Sequence, residues 1–480
     1  MWPLLLIACS SPLVPSTREP SADAPAARGP REGKAPRPPG RGGRALPDGD
    51  QLLIGPEALP TDAPARTVAL NPGAALGPLA PLMGVNGGPS SKGAPANIVE
   101  LYQRVGIRAI RTHDYNGAFD LAPIFGGTLA GDGDFSSTDG VYRQIAEGGF
   151  GLFLRVGDSY HTATPIENID MAQKKMVATV RHLVKASRAA GRPLEYVEIW
   201  NEPDNTTFWK GDQADFFRLF EGTAKEIRRT FPELKIVGPA LTPGATRTPK
   251  GMAWAAAFFA MVKEKKVPLD AISWHMYANK PELYIQAASQ YRSYATEQGW
   301  GDLPQIVSEW NSAFRPTGGS GAGQAGAEVR EKKQASAVVG ASWIAMQQAG
   351  VDDAYFYCGV DPAMEASHFY GLFRPDGSSK PAGLAFVLFK ELLAHPTRVD
   401  LALERSENLW VLGGQNGAGE VAILLANVSG ERVAWESGRA VTERWTVAEP
   451  EAGVVVDQGA GRAGVVEPWN LVLLKLGREQ

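Results

Sequence analysis

Short apolar runs alternate with longer amphipathic segments eight times between about residues 80 and 395. The apolar runs predict strands, and the amphipathic segments predict the helices between them. Eight such repeats favour an α/β fold of the (β/α)8 TIM barrel type over a doubly wound open sheet, and no glycine-rich phosphate loop opens a helix here. The predicted strands cover residues 81–86, 107–113, 151–157, 196–200, 235–239, 271–277, 305–310 and 354–358.

The pattern changes after the predicted barrel, residues 80–395. Residues 396–480 contain short strands separated by turns, which predict an accessory β-sandwich domain at the C-terminal end. A strand from the lead-in segment, residues 51–79, is expected to pair with this domain.

The first nine residues form a short apolar run that ends at Cys9 and resembles the lipobox of bacterial lipoproteins. The resemblance implies a signal peptide over residues 1–9, lipidation of Cys9, and a secreted or cell-envelope protein held by a lipid anchor. An ordinary unstructured start is the alternative. Residues 10–50 are rich in Pro, Ala, Gly and Arg and predict a disordered linker. No later run approaches the ~20 apolar residues of a membrane span, so a membrane is expected only through the anchor.

The charge and cysteine content exclude several classes of partner. Because 48 Lys and Arg nearly balance 52 Asp and Glu, we expect no nucleic acid partner. Two cysteines, Cys9 and Cys358, can build neither a disulfide framework nor a thiolate metal site, and no His or carboxylate cluster has metal-ligand spacing. We therefore predict no cofactor and no metal, and the 12 Trp suit an uncharged ligand such as a sugar.

Two glutamates stand where the barrel prediction places the chemistry, at the C-terminal ends of strands. Glu202 follows the fourth strand in EIWNEPD, and Glu309 ends the seventh in IVSEWN. These two positions face each other across a barrel mouth, as the paired carboxyl groups of glycoside hydrolases must. A separation of ~5–5.5 Å would give retention of configuration, and ~6.5–9.5 Å would give inversion.

Three motifs, WNEP at 200–203, HMY at 275–277 and SEWN at 308–311, resemble the signature of the retaining clan A glycoside hydrolases. Within that clan the chain is most similar to glycoside hydrolase family 39, which includes β-xylosidases and α-L-iduronidases. GVNGG at 84–88 and GLFRPDGSSKPAG at 371–383 also resemble that family, and the similarity covers about residues 80 to 480.

The family resemblance implies roles for five residues. Glu202 would be the general acid/base, kept protonated, and Glu309 the nucleophile, kept anionic. Asn201 would hydrogen-bond the sugar 2-hydroxyl, Tyr277 would orient the nucleophile, and His275 would line the same wall.

Other residues at the strand ends leave alternatives open. His113 suits substrate contact, although its neighbours Arg111 and Asp114 could form a structural ion pair with each other. Trp310 and Tyr357 could present apolar faces to a sugar or fill the top of the barrel.

Two loops at the same edge carry weaker predictions. Asp158 and His161 are expected on a solvated loop, with contact to a substrate as the alternative, and the glycine-rich segment 317–326 is either a lid or an insertion. That segment and YFYCG at 355–359, which offers no Trp at the rim, depart from the family pattern and leave the sugar open.

The sequence therefore predicts a retaining exo-glycosidase, similar to a β-xylosidase, whose partner is a carbohydrate substrate. An endo-acting clan A glycanase and a non-catalytic barrel that binds carbohydrate at the cell surface are the alternatives. The oligomeric state is left open.

Overall fold

A computed structural model describes residues 66–159, 162, 165–313, 329–364, 369–403, 405–406, 408–448 and 453–478. The predicted signal peptide with Cys9, the linker at 10–50, His161 and the glycine-rich segment 317–326 lie outside these residues.

Eight parallel strands, β3 to β10, close into a barrel in which the last strand pairs with the first. Together with the strands that precede and follow the barrel, the described strands are β1 Arg66–Ala69, β2 Ala75–Pro78, β3 Gly84–Asn86, β4 Ala109–Arg111, β5 Gly151–Val156, β6 Tyr196–Ile199, β7 Lys235–Leu241, β8 Ala271–Tyr277, β9 Gln305–Asn311, β10 Asp353–Phe356, β11 Thr397–Val399, β12 Arg405–Ser406, β13 Leu409–Gln415, β14 Val421–Asn427, β15 Val433–Val447, β16 Val454–Val466 and β17 Asn470–Leu476. The predicted (β/α)8 fold is confirmed.

Helices follow the barrel strands, and their starts carry recognisable caps. Asn168 accepts a hydrogen bond from the Met171 N–H, and Thr248 accepts one from the Gly251 N–H ahead of a helix that starts with Pro249. Within the described ranges no helix is both long and apolar enough to span a bilayer. The α-helices are α1 Ile98–Val105, α2 Leu121–Phe125, α3 Ser136–Glu147, α4 Ile169–Ala189, α5 Gln213–Thr230, α6 Gly244–Arg247, α7 Pro249–Glu264, α8 Glu282–Glu297, α9 Gln334–Gln348 and α10 Pro381–Leu393.

The lower half of the barrel interior is a packed apolar layer. Phe153, Val237, Ile306 and Tyr355 come from different strands and belong to one buried cluster, with the Phe153 and Tyr355 rings 4.7 Å apart. Such layers make barrels of this kind solid, so polar side chains can lie only above them, toward the C-terminal ends of the strands.

The remaining strands form one nine-stranded sheet that includes residues from before the barrel. β1 pairs with β15 in parallel, and β2 pairs with β11. One face of the sheet, which includes Trp410 and Leu424, joins the core of the barrel helices, and the other face, which includes Ile423, forms a second core with Trp435. The region predicted as a β-sandwich therefore consists of a single hydrogen-bonded sheet in the described residues. Its long strand β15 pairs with β1 through its first residues and with β17 through its last.

Candidate active site

The chain bends sharply after β6, at the WNEP stretch. Trp200 and Glu202 both adopt left-handed backbone conformations, with φ of 75° and 45°. The bend is held by a 2.9 Å hydrogen bond from the Glu202 N–H to the Ala240 carbonyl and by the Trp200 ring. That ring packs so closely on Gly157 that a Cβ there would lie 2.6 Å from it. Backbone strain of this kind is concentrated at functional sites.

Glu309, near the end of β9, is held by two donors. The Tyr277 hydroxyl donates to Oε1 at 2.5 Å, and Arg111 Nη1 lies 3.2 Å from Oε2. Only 6% of Glu309 is exposed. Tyr277 therefore has the orienting position that the family resemblance implies.

Glu202 lies against the imidazole of His275. The His275 Nδ1 atom is 3.0 Å from Glu202 Oε1, and the amide of Asn205 donates to Oε2 at 2.9 Å. The same Nδ1 atom is 4.0 Å from Glu309 Oε2. Ligand-type atoms of Glu202, His275 and Glu309 all lie within 4.8 Å of one another. His275 therefore contacts both carboxylates and is more than a part of the wall.

Glu202, His275 and Glu309 shift the pKa values of one another. Burial opposes ionisation of Glu202, but the hydrogen bond and charge of His275 outweigh it and lower the Glu202 pKa. Burial also acts against the imidazolium, but the two carboxylates outweigh it and raise the pKa of His275. Burial raises the pKa of Glu309, and His275 and Arg111 act against that rise. These pKa directions favour an ionised Glu202 beside a protonated His275, whereas the resemblance implied a protonated Glu202.

Arg111, the last residue of β4, contacts four side chains of the site. Its fully buried guanidinium donates to Glu198 Oε2 at 2.7 Å, to Asn201 Oδ1 at 2.7 Å and to Asn86 Oδ1 at 2.9 Å, besides its contact with Glu309. Burial opposes its charge, but Glu198 and Glu309 raise the pKa of Arg111. The Nδ2 atom of Asn201 is buried with no described partner, so it can donate to a bound hydroxyl.

His113, Asp114 and Tyr357 form a second group at the rim. The Tyr357 hydroxyl donates to Asp114 Oδ2 at 2.8 Å, and His113 Nε2 lies 3.6 Å from the same oxygen and 3.8 Å from Glu309 Oε2. Burial and Arg111 lower the pKa of His113. The alternative of an ion pair between Arg111 and Asp114 is not what the structure shows, because Arg111 pairs with Glu198 and Glu309.

Trp310 and Asp158 are both buried. Trp310 is fully buried, and its ring contacts Phe356 at 5.0 Å and Phe386 at 6.4 Å, between the barrel and its helices. Asp158 is 1% exposed and accepts a hydrogen bond from the Ala122 N–H at 3.2 Å, so it is not on a solvated loop. Burial, and next the charge of Asp120, raise the Asp158 pKa to about 7.

Sequence reasoning missed three partners of the predicted site. Arg111 was considered only as a structural ion pair, and Glu198 and Asn205 were not considered. One signal was available: Glu198 and Arg111 are charged residues inside apolar strand runs, and buried charges are normally paired. Asn205 carried no such signal, because polar residues are common in turns.

The Glu202, His275 and Glu309 cluster is the described group whose atoms are close enough to hold a metal ion. The same arrangement places two carboxyl groups close together at the C-terminal ends of the strands. The donors from Tyr277 and Arg111 fit an anionic, oriented Glu309.

The chain is similar in sequence and in fold to known proteins. A β-xylosidase from Geobacillus stearothermophilus is 25% identical over 193 residues, which are 36% of this chain and 36% of that protein, so the match spans about a third of the relative's length. Two solved structures share the fold, a glucosidase from Croceicoccus marinus and a monomeric β-xylosidase from Caulobacter crescentus. Their TM-scores are 0.66 and 0.64 at 19% and 18% identity, over 86% and 87% of this chain and 99% and 100% of theirs.

The family model of glycosyl hydrolases family 39 matches residues 167–314. This segment runs from the start of α4 past the end of β9, and it contains the WNEP bend, the HMY motif and both glutamates. Over this segment the chain is similar to glycoside hydrolase family 39, and its barrel has the fold of the two solved structures.

Proposed function

We propose that this protein is a retaining glycoside hydrolase in which Glu309 is the nucleophile and Glu202 the general acid/base. The observation that carries the proposal is the closeness of the two carboxyl groups, since one oxygen of Glu202 lies within 4.8 Å of one oxygen of Glu309. Inverting enzymes need ~6.5–9.5 Å to admit a water molecule between carboxylate and sugar, whereas retaining enzymes use ~5–5.5 Å.

In the first step Glu309 attacks the anomeric carbon while the C–O bond to the leaving group breaks, and Glu202 gives a proton to the departing oxygen. In the second step Glu202 takes a proton from water, and the resulting oxygen attacks the anomeric carbon and releases Glu309. Tyr277 and Arg111 hold Glu309 for attack, and Asn201 Nδ2, which has no partner among the described residues, can donate to the sugar 2-hydroxyl.

The Glu202–His275 pair enters this cycle with one proton. His275 stores that proton 3.0 Å from Glu202 in the free site, stabilised by the negative charge of Glu309. When Glu309 becomes bonded to the sugar it loses this charge, and the pair is left without the proton that went to the leaving group. Glu202 is then an ionised base, as the second step requires.

β-Xylosides are the proposed substrates, with exo action, because the matched relatives include proteins named β-xylosidase. A structural neighbour named as a glucosidase makes aryl β-glucosides the first comparison.

The test uses aryl β-xylosides with Glu309→Ala, Glu202→Ala and, as a matched control on an exposed helix end, Glu264→Ala. We expect wild-type turnover for Glu264→Ala, a loss of about 10²–10⁴-fold for Glu202→Ala, and no measurable turnover for Glu309→Ala. Azide should rescue Glu309→Ala with formation of the α-glycosyl azide, and Glu202→Ala with formation of the β-azide. Full activity of Glu309→Ala, or an inverted first product from the wild-type enzyme, would contradict the proposal.

A further inference from the structure

Asp114 is a carboxylate at the rim for which the proposed mechanism has no use. It follows β4 by three residues, and its left-handed backbone, with φ of 58°, fixes the direction of its side chain. The side chain is 32% exposed, whereas that of the neighbouring His113 is 2% exposed. A partly open carboxylate beside a buried imidazole is therefore held at the edge of the site.

His113 connects Asp114 to the reacting end of the site. One atom, His113 Nε2, lies 3.6 Å from Asp114 Oδ2 and 3.8 Å from Glu309 Oε2. The two carboxylates therefore lie no farther apart than one sugar ring with its hydroxyls. Phe208 and Tyr357 flank the same imidazole, with ring centroids 5.8 and 6.3 Å from it, and they provide apolar faces around that space.

The hydrogen-bonding capacity of Asp114 is only partly used. A carboxylate can accept about four hydrogen bonds. Asp114 Oδ2 accepts one from the Tyr357 hydroxyl at 2.8 Å, and Oδ1 is covered without a partner among the described residues. Burial raises the pKa of Asp114, and the Tyr357 hydrogen bond opposes that rise. Because the side chain is 32% exposed and Oδ2 has a second lone pair, Asp114 can accept a further hydrogen bond from a ligand.

We propose that Asp114 accepts a hydrogen bond from the 3- or 4-hydroxyl of the sugar whose anomeric carbon is bound at Glu309. This inference rests on the proposed function and adds the class of sugar. A neutral sugar with a free hydroxyl at that position satisfies Asp114. A uronic acid keeps these hydroxyls but adds a carboxylate at C6 near Asp114 and Glu309, and like charges in a site with little water repel each other. Asp114 thus selects neutral xylosides and glucosides over uronides.

The experiment compares kcat/KM for an aryl β-xyloside with its 3-deoxy and 4-deoxy analogues, and for an aryl β-glucoside with the matching β-glucuronide. The variants are Asp114→Ala, Asp114→Asn and the control Asp302→Asn. Asp302 is an exposed residue that precedes β9, at the opposite end of the barrel from the site. Asp114→Asn keeps an acceptor for the Tyr357 hydroxyl and tests the charge if Asp114→Ala does not fold.

We expect loss of the contacted hydroxyl to lower wild-type kcat/KM by about 10- to 150-fold, the usual range for a hydrogen bond to a charged group. The same deletion should lower kcat/KM of Asp114→Ala only a few-fold. Asp114→Asn should reduce the ratio of kcat/KM for the glucoside to kcat/KM for the glucuronide. Asp302→Asn should behave as wild type. Equal deoxy penalties in wild type and both Asp114 variants would overturn the inference while leaving the proposed function intact. So would a wild-type preference for the glucuronide. Hydrolysis of none of these glycosides would overturn both.

Discussion

Arg111 holds a buried negative charge in place, and its removal gives the sharpest test of how this site is built. Arg111→Met keeps an unbranched apolar stem and deletes the guanidinium. The deletion strips Glu198 of the two nitrogen atoms at 2.6 and 2.7 Å, and neither residue has any exposed side chain. It also removes the donor to Asn201 and the contact with Glu309.

The size of the effect follows from that burial. Removing one partner of a buried ion pair costs about 3–5 kcal/mol, because the other charge is left unpaired. Replacing Glu198 by Gln in the same chain removes that charge. The double variant Arg111→Met/Glu198→Gln should therefore be more stable than Arg111→Met alone, and the two substitutions should offset each other by about 1–3 kcal/mol. Turnover should stay low in the double variant, because Asn201 and Glu309 still lack their shared donor.

The assay is urea unfolding followed by tryptophan fluorescence for wild type and the three variants, with kcat/KM on an aryl β-xyloside measured in parallel. Stability that recovers while activity does not would separate the two functions of Arg111. The reasoning fails if Arg111→Met unfolds within about 0.5 kcal/mol of wild type, the ordinary range for surface substitutions. It also fails if Glu198→Gln adds to the loss instead of offsetting it.

Three further predictions concern protons and location. His275→Gln removes the imidazole that stores the proton of Glu202. Because the pKa of His275 is raised in the folded protein, the basic limb of the pH profile of kcat/KM should move to lower pH in this variant. A basic limb at the wild-type pH would contradict proton storage on His275. The pKa of Asp158 is raised to about 7, so the folded state binds the Asp158 proton more tightly than the unfolded state does. The free energy of unfolding should therefore fall by up to ~4 kcal/mol as the pH rises from about 4 to 7. Asp158→Asn should flatten this dependence, which urea midpoints at pH 5 and 8 would measure. Lipidation at Cys9 remains a proposal, and it predicts that Cys9→Ala moves the protein from the membrane fraction of a bacterial host to the soluble fraction; unchanged fractionation would contradict it.

Much of the barrel could be predicted because parallel strands buried on both faces are continuous apolar runs. The predicted strand Ala271 to Tyr277 has the observed bounds, and the first strand is shorter than predicted, Gly84–Asn86. The C-terminal strands were predicted to be short, but β15 spans Val433–Val447. Its first part carries polar and glycine residues on an exposed face, and pairing partners far along the chain make it a strand.

Residues of the candidate site could be predicted where their position at the end of a strand marked them. Glu202 and Glu309 were found from their positions at strand ends, and the structure brings both together. The position of Trp310 was also available from the sequence, since neighbours on a strand point to opposite sides and Glu309 faces inward. The contacts of His275 with both carboxylates, at 3.0 and 4.0 Å, could not be predicted, because they depend on side-chain positions that the sequence pattern does not specify.

The sheet that joins both ends of the chain has a consequence for synthesis. Asn71, just after β1, accepts a hydrogen bond from the Gly438 N–H, 367 positions later. At 5–20 residues per second a ribosome needs about 20–70 s to cover that distance. All eight barrel strands are therefore made before the partner of β1 exists, so β1 is made before the barrel but stays unpaired until after it. Until then the faces of α9 and α10 that the sheet covers stay open to water, so this interval is when a nascent chain most needs a chaperone.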